Sequence, residues 1–225
     1  MPFIEGKVVR LLEHLYEEAM QPYDAAGVRV PSVGQMLAVR DGLAFSYAWS
    51  STSRSINSRE LRLENFTLQS SDMALGTLIY PVMLLPPGTL ICITPDHLCK
   101  RGPDRNHQEV VLTVPALSHW PAMILSPVTW LRALLMLDAQ YSSHVSSLLV
   151  RPLVHARSTH FKEVPLGKTS MQDRLDRALI AIGQHEGETL HSFRRGQAVA
   201  HRQAGASAEQ IQHLLMLTSA RLRHT

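Results

Sequence analysis

A histidine and an arginine near the C-terminal end of the sequence have the types and the spacing to bind a phosphate group. Residues 188–198 read Glu-Thr-Leu-His-Ser-Phe-Arg-Arg-Gly-Gln-Ala, which places His191 and Arg194 three positions apart. On a helix this spacing puts both side chains on one face. There an imidazole and a guanidinium can donate to one phosphate, the guanidinium through two nitrogens at once. Because His-x-x-Arg is a common pattern, the pair taken alone fits a solvated helix start better than a binding site.

The positive charge of the sequence is concentrated in the same region. The chain has 225 residues and a formal net charge of +3, but the residues from His191 onward carry five arginines against one acid, Glu209. That part contributes +4, so the first 190 residues together carry −1. Arginine outnumbers lysine 18 to 4, which fits phosphate recognition. A basic end on a near-neutral body indicates an anionic partner at that end.

Helices predominate among the elements that must position these residues. Apolar spacing, capping residues and glycine stops predict them over residues 4–20, 33–49, 57–65, 127–140, 173–182, 191–203 and 207–216. The remaining elements are β-rich and are separated by Pro-Pro-Gly and Arg-Gly-Pro-Asp turns, over residues 76–82, 89–94 and 109–114. The predicted fold class is therefore α+β, mainly α, with a small antiparallel sheet.

Composition and hydropathy exclude several classes of protein. Hydrophobic residues make up 45% and charged residues 18%, a globular composition that excludes a disordered chain. Two cysteines cannot form a disulfide scaffold, which favours a reducing compartment. The uncharged stretches 73–95 and 110–131 are interrupted by prolines, and the amphipathic start contains acids, so neither a membrane span nor a signal peptide is predicted. We expect an intracellular protein without a membrane partner, nuclear if the source is eukaryotic and cytoplasmic if it is prokaryotic.

Two further groups of residues read as structural. Cys92, His97 and Cys99 form Cys-x4-His-x-Cys, but zinc sites need a second pair of ligands and none is near, so no metal site is predicted. Large apolar side chains predicted to fill the core are Met123, Met136, Met171, Met216, Trp120 and Trp130.

The region from His191 closely resembles the C-terminal signature of the tyrosine recombinases, the phage integrase family. The resemblance rests on His-Ser-Phe-Arg-Arg-Gly, followed by Ala200-His-Arg-Gln-Ala-Gly205 and Glu209-Gln-Ile-Gln-His-Leu-Leu215. It implies an upstream arginine after a helix and before a short Glu-Leu segment. Arg54, followed by Leu61-Arg-Leu-Glu-Asn-Phe66, matches that arginine and the segment leading into the sheet. The implied fold is integrase-like, the helical catalytic core of the DNA breaking–rejoining enzymes.

The resemblance also implies roles for individual residues. The family places a lysine in a turn of the sheet, and Lys100 matches it, with Arg101 and Arg105 close enough to take its place. Arg54 and Arg194 would hold the nonbridging phosphate oxygens, His191 would donate to the phosphate or assist proton transfer, and Lys100 would protonate the leaving 5′-oxygen. One such donor is typically worth about 3–4 kcal/mol. The remaining expected DNA contacts are Arg195, Arg202 and Arg101, and neither a metal nor another cofactor is required.

The sequence departs from the family pattern at two places. The next phosphate contact, usually His or Trp, falls on Leu217, which cannot donate a hydrogen bond. His213 could replace it only in a displaced register. The family attacks the phosphate with a tyrosine to give a covalent 3′-phosphotyrosyl intermediate, yet all five tyrosines precede His191. We therefore expect the sequence as written not to cleave DNA.

These observations lead to one expectation and two alternatives. Residues 1–225 are expected to form one tyrosine-recombinase-like catalytic domain. We expect it to lack the family's N-terminal DNA-clamping domain and to be truncated at its C-terminal end. The sequence of its signature is most similar to that of eukaryotic mobile-element recombinases. The expected partner is double-stranded DNA, with self-association into a homo-oligomer on DNA. The alternatives are a non-catalytic DNA-binding protein on the same fold and a helical protein-interaction domain.

Overall fold

The computed structural model of the protein describes residues 2–21, 31–51, 55–68, 85–93, 110–115, 120–141 and 147–214. In chain order its elements are α1 (Glu5–Ala19), α2 (Val33–Ser51), α3 (Ser55–Arg59), a 3₁₀ turn (Leu63–Asn65), β1 (Phe66–Leu68), β2 (Leu90–Ile93), β3 (Val110–Thr113), α4 (Trp120–Leu125), α5 (Pro127–Tyr141), α6 (Lys168–Ala181), α7 (Leu190–Gln203) and α8 (Ala208–Leu214). The described residues are mainly helical with a small antiparallel sheet. This confirms the predicted fold class.

Helix α2 is the central element of the core. Nearly all of its side chains are buried, and it contacts α1, α5 and α7. A Cβ at Gly42 would overlap the indole of Trp130 on α5, so the two helices approach this closely because the residue is glycine. The helices predicted over 4–20 and 33–49 are confirmed, the second continuing two residues further.

The two tryptophans that the sequence assigned to the core differ in the structure. Trp130 is 2% exposed, and its Nε1 donates to the carbonyl of Ile124 at 2.7 Å. Trp120 is 39% exposed, so its assignment to the core is wrong. It is the first residue of α4, where its ring packs edge-on against Tyr16 and its Nε1 donates to Glu13 at 3.1 Å. An indole suits this partly exposed position because its ring packs on one side while its N–H keeps a hydrogen-bond partner.

The methionines show a similar division. Met123 and Met171 are buried as predicted, but Met136 is exposed. At about 100° per residue, Met136 lies roughly 140° around α5 from the buried Leu131, which turns it away from the core. Met216 lies outside the described residues.

The described sheet has three antiparallel strands in the order β1-β2-β3. Strand β1 pairs with β2 with Phe66 opposite Ile93, and both side chains are fully buried. The strands predicted over 89–94 and 109–114 are confirmed as β2 and β3, each slightly shorter. The strand predicted over 76–82 lies outside the described residues.

The helix predicted over 57–65 is wrong for most of its length. Helix α3 ends earlier, and an extended segment and the 3₁₀ turn follow it. The backbone N–H of Leu63 donates to the carbonyl of Ser147 at 2.6 Å, and the N–H of Leu149 donates to Leu61 at 2.9 Å. These bonds to a distant segment replace the local helical ones.

The three C-terminal helices lie close to their predicted positions. Helix α6 begins at Lys168, five residues before the predicted start, because the polar residues of its first turn carry no apolar pattern. Helices α7 and α8 are confirmed, and Gly205 between them has a φ of +89°, a conformation that favours glycine. Ser207 caps α8, its hydroxyl accepting from the N–H of Gln210 at 3.2 Å.

The described residues contain neither a cluster of metal-binding side chains nor a membrane-spanning helix. Among these residues, no group of three or more His, Cys, Asp or Glu side chains could hold a metal ion. Cys92 is buried, while His97 and Cys99 lie outside the described ranges. No helix in those ranges is long and apolar enough to cross a membrane.

Candidate functional site

Helix α7 carries the predicted phosphate-binding pair at its first turns. It begins at Leu190 after Thr189, whose N–H donates to the hydroxyl of Ser192 at 3.0 Å. His191 is exposed, whereas Arg194 is only 7% exposed. A guanidinium that is largely removed from water attracts a phosphate more strongly than a solvated one.

The apolar residues of the same motif fix α7 to the core. Phe193 stacks on Phe3, with ring centroids 4.3 Å apart, and on Phe45 of α2 at 5.7 Å. The N–H of Phe3 donates to the carbonyl of Ser192 at 3.2 Å. A Cβ at Gly196 would overlap the carbonyl oxygen of Phe3. Ser192, Phe193 and Gly196 of this motif therefore pack α7 against the core. Of the basic residues, His191 and Arg195 are exposed and Arg194 is largely buried.

A glutamine of α6 holds the start of α7. The Oε1 of Gln172 accepts from the N–H of Leu190 at 3.0 Å, and its Nε2 donates to the carbonyl of Glu188 at 3.0 Å and to Asp176 at 2.7 Å. One amide thus bonds the backbone on both sides of the helix N-terminus. The sequence contained no signal for this role, because polar residues on a helix surface are common.

A buried ion pair holds the segment before α7 to α1. The Nζ of Lys7 donates to the carboxylates of Glu188 and Glu186, the latter at 3.1 Å. The side chain of Glu188 is only 1% exposed. Glu188 also accepts from the N–H of Glu186 at 2.8 Å. Burial by itself raises the pKa of Glu188, but its hydrogen bonds with Lys7 and with backbone N–H groups, together with the charge of Lys7, outweigh burial and lower that pKa. Glu188 is therefore ionised, and it anchors the residues immediately before His191.

The exposed side of α7 is basic along its length. His191, Arg195 and Arg202 are all exposed. At about 100° per residue, Arg195 and Arg202 lie within roughly 40° of His191 around the helix axis. The structure therefore places three of the predicted site residues in one exposed row, which we call the α7 basic row, with Arg194 beside it.

The other predicted site residues, Arg54, Lys100 and Arg101, lie outside the described residues. The structure does describe both elements that flank Arg54 in the sequence, α2 and α3. Helix α2 contacts α7, and α3 contacts α6. Arg59 on α3 also donates to the carbonyl of Leu166, just before α6, at 3.1 Å. Both flanks of Arg54 are thus joined to α7, directly or through α6.

A second buried charge network joins α2 to α6. Asp41 accepts from Arg40 Nε at 2.8 Å and from Arg174 Nε at 2.6 Å. Arg40 also donates to the carbonyl of Arg151 at 3.1 Å. A buried carboxylate between two guanidiniums fixes the distance between the helices that carry them. In the sequence, the adjacent charges Arg40 and Asp41 within an otherwise uncharged helix are the signal for this network.

The chain shares its fold with a site-specific recombinase, as the resemblance implied. Two solved structures share it: XerH site-specific recombinase bound to difH substrate in a pre-cleavage complex, and the same recombinase bound to palindromic difH substrate in a post-cleavage complex. The first has a TM-score of 0.57 at 14% identity, covering 97% of this chain and 48% of XerH. The second has a TM-score of 0.56 at 14% identity, covering 97% and 46%. The chain thus spans about half the length of either. No protein-family model and no curated protein matches the sequence.

Proposed function

We propose that this chain binds double-stranded DNA through its phosphates, with α7 as the principal contact element. The observation that carries the proposal is the α7 basic row, held rigidly against the core on a fold shared with a recombinase bound to its DNA substrate. Because α7 is packed against the core, the backbone that carries His191, Arg195 and Arg202 does not have to become ordered when a phosphate binds.

Within the proposed site, the roles follow those of the tyrosine recombinases. Arg54 and Arg194 hold the nonbridging oxygens, His191 donates to the same phosphate, and Lys100 is the general acid for the leaving oxygen. Arg101 is a further candidate contact. The proposal for Arg194 is supported by its low exposure and by its place one turn from His191. Catalysis additionally needs a tyrosine nucleophile, and no tyrosine follows His191 in this sequence.

The decisive experiment measures duplex DNA binding by the 225-residue chain and by two matched variants. Arg195→Ala removes an exposed arginine from the α7 basic row, and Arg10→Ala removes an exposed arginine from α1. We expect Arg195→Ala to weaken binding about tenfold, the loss of one charged hydrogen bond. It should also reduce the slope of log K against log salt by about 0.9, because one fewer counterion is released. Arg10→Ala should leave both quantities nearly unchanged.

The readout is fluorescence anisotropy of a labelled duplex across a salt series. Equal effects of the two variants would place the DNA elsewhere on the molecule. Undetectable or salt-insensitive binding by the unaltered chain would contradict the proposal and favour the helical protein-interaction alternative.

A further inference from the structure

A basic hairpin precedes α6 and is not part of the proposed site. Residues 152–162, which we call the basic hairpin, read Pro-Leu-Val-His-Ala-Arg-Ser-Thr-His-Phe-Lys and contain no acid. The chain reverses there, with Leu153 opposite Phe161 in an antiparallel bridge. The side chains of His155, Arg157, His160 and Lys162 are all exposed.

Backbone hydrogen bonds make the hairpin a defined structure. The N–H of Val154 donates to the carbonyl of His160 at 2.9 Å, and the N–H of Lys162 donates to Pro152 at 2.8 Å. At the tip, the hydroxyl of Ser158 accepts from the N–H of His160 at 3.0 Å. Four exposed basic groups are therefore carried on a backbone that is already ordered.

The base of the hairpin is anchored in the core. Phe161 is buried, and the guanidinium of Arg151 lies over its ring, 5.2 Å from the centroid. Arg151 is itself buried and donates to Glu163 at 2.7 Å. The nearest acid in sequence is thus engaged at the base. Among the described residues, neither Arg157 nor Lys162 forms an ion pair, so both charges face solvent.

Both ends of the hairpin lead to elements of the proposed site. The preceding segment, residues 147–150, bonds the chain just after α3, the helix that follows Arg54. The following segment receives the bond from Arg59 of α3 at Leu166 and then enters α6, where Gln172 holds the start of α7. The segments on both sides of the basic hairpin are therefore bonded to the chain around α3, and the second of them leads into the helix that holds the N-terminus of α7.

One histidine of the tip presents a hydrogen-bond donor. The Nδ1 of His155 accepts from the N–H of Arg157 at 3.3 Å. Because a neutral imidazole that accepts at Nδ1 carries its proton on Nε2, the outer nitrogen of His155 is assigned as a donor. Together with Arg157 and Lys162 it matches the chemistry of a phosphate backbone.

We propose that the basic hairpin is a second DNA contact, in which Arg157 and Lys162, with His155 as an additional donor, bind backbone phosphates beside those held by α7. This inference rests on the proposed DNA binding and extends the interface to a separate element. Contacts of this kind add affinity and fix orientation without reading sequence. The hairpin would thus contribute equally to binding of unrelated duplexes.

The test compares the double variant Arg157→Ala/Lys162→Ala with Val154→Ala, which alters an exposed, uncharged side chain of the same hairpin. Both are made in the full 225-residue chain. We expect the double variant to weaken binding of duplex DNA at least tenfold and to lower the salt slope by about 1.8, two phosphate contacts at about 0.9 each. Val154→Ala should bind as the unaltered chain does, and thermal unfolding should show that all variants are folded.

Hydroxyl-radical footprinting then separates the two contact elements. The double variant should lose protection over the patch of the duplex that the hairpin contacts. It should keep protection over the patch that α7 contacts, which Arg195→Ala should reduce. If the unaltered chain binds DNA but the double variant matches it in affinity, slope and footprint, the hairpin inference is wrong and the proposed function stands. If Val154→Ala has the same effect as the double variant, the hairpin acts through its conformation and the inference is also wrong. If the unaltered chain does not bind DNA, the proposed function itself fails.

Discussion

Glu188 is the residue on which the geometry before His191 depends most directly. Its carboxylate is buried against Lys7, whereas that of Glu186, bonded to the same ammonium, is 61% exposed. Because its pKa is lowered in the folded protein, Glu188 is harder to protonate folded than unfolded. Its contribution to stability is therefore complete above the ordinary glutamate pKa. It is lost as the pH falls through the lower pKa of the folded state.

Replacing Glu188 by glutamine should be costly and pH-dependent. Glu188→Gln leaves the buried Lys7 with only its exposed partner, and we expect the free energy of unfolding at neutral pH to fall by about 3 kcal/mol, the lower end for breaking a buried pair. The difference from the unaltered chain should shrink in acid, where Glu188 is protonated anyway. Urea unfolding followed by circular dichroism at neutral and acid pH measures both quantities.

Glu186→Gln is the matched control. It removes the exposed partner of the same lysine, and exposed pairs contribute about 0–1 kcal/mol. Similar costs for the two variants would show that the buried pair does not hold the segment before α7.

At the scale of the element, α7 combines two tasks on different faces. Phe193 and Gly196 bring it against Phe3 and α2, while the α7 basic row remains exposed. The close approach at Gly196 sets how far the basic row projects from the core. A change that moves the helix outward therefore alters folding stability and the position of His191 together.

Gly196→Ala tests this coupling. Alanine is the better helix former by about 1 kcal/mol, but its Cβ would overlap the carbonyl of Phe3, which is backbone and cannot turn away. We expect the variant to be destabilised by roughly 1–3 kcal/mol, the usual cost of overpacking, and to bind duplex DNA more weakly.

Gly6→Ala provides the comparison, because a Cβ there would meet no atom within 4 Å. This variant should be stabilised by about 0.5–1 kcal/mol and bind DNA normally. Thermal unfolding and anisotropy on both variants measure the two effects. An unperturbed Gly196→Ala would mean that α7 is not held by this approach.

The fold of the chain does not by itself supply the nucleophile that strand cleavage needs. The chain shares its fold with XerH site-specific recombinase, in a match that covers 97% of this chain. Of the five tyrosines, Tyr47 is fully buried in α2, and Tyr16 packs against Trp120 and Trp130. Both side chains are thus packed within the fold. A recombinase-like fold is thus combined with a sequence in which no tyrosine follows the His-x-x-Arg helix.

We expect the 225-residue chain to form no covalent adduct with a nicked duplex, because loss of a nucleophile costs about a millionfold in comparable enzymes. A C-terminal extension carrying one tyrosine should restore the adduct if the phosphate-binding residues are competent. Denaturing gels of labelled DNA measure it, with phenylalanine in the extension and Arg194→Ala as controls. An adduct from the unextended chain would contradict the expectation, and none from the extended chain would favour the non-catalytic DNA-binding alternative.

Elements whose signals are local can be predicted from the amino-acid sequence. The helices around Leu11 and Leu12, the helix that begins at Pro127 and the stop at Gly205 all follow from spacing or from one backbone preference. The same local signal placed His191 and Arg194 on one helix. It could not decide whether that helix was a solvated surface or a supported site, because the support comes from residues far away in the chain.

Which residues hold α7, and which side chains face water, depends on contacts between distant parts of the chain. Lys7, Gln172 and Phe3 support α7 across sequence separations of about 20 to 190 residues. No local pattern encodes such pairings. For the same reason Trp120 and Trp130, alike in sequence, differ in burial. Residues 61–63, predicted to be helical, instead form backbone hydrogen bonds with residues 147–149. Buried backbone groups need a hydrogen-bond partner, and here the fold supplies one from a distant segment.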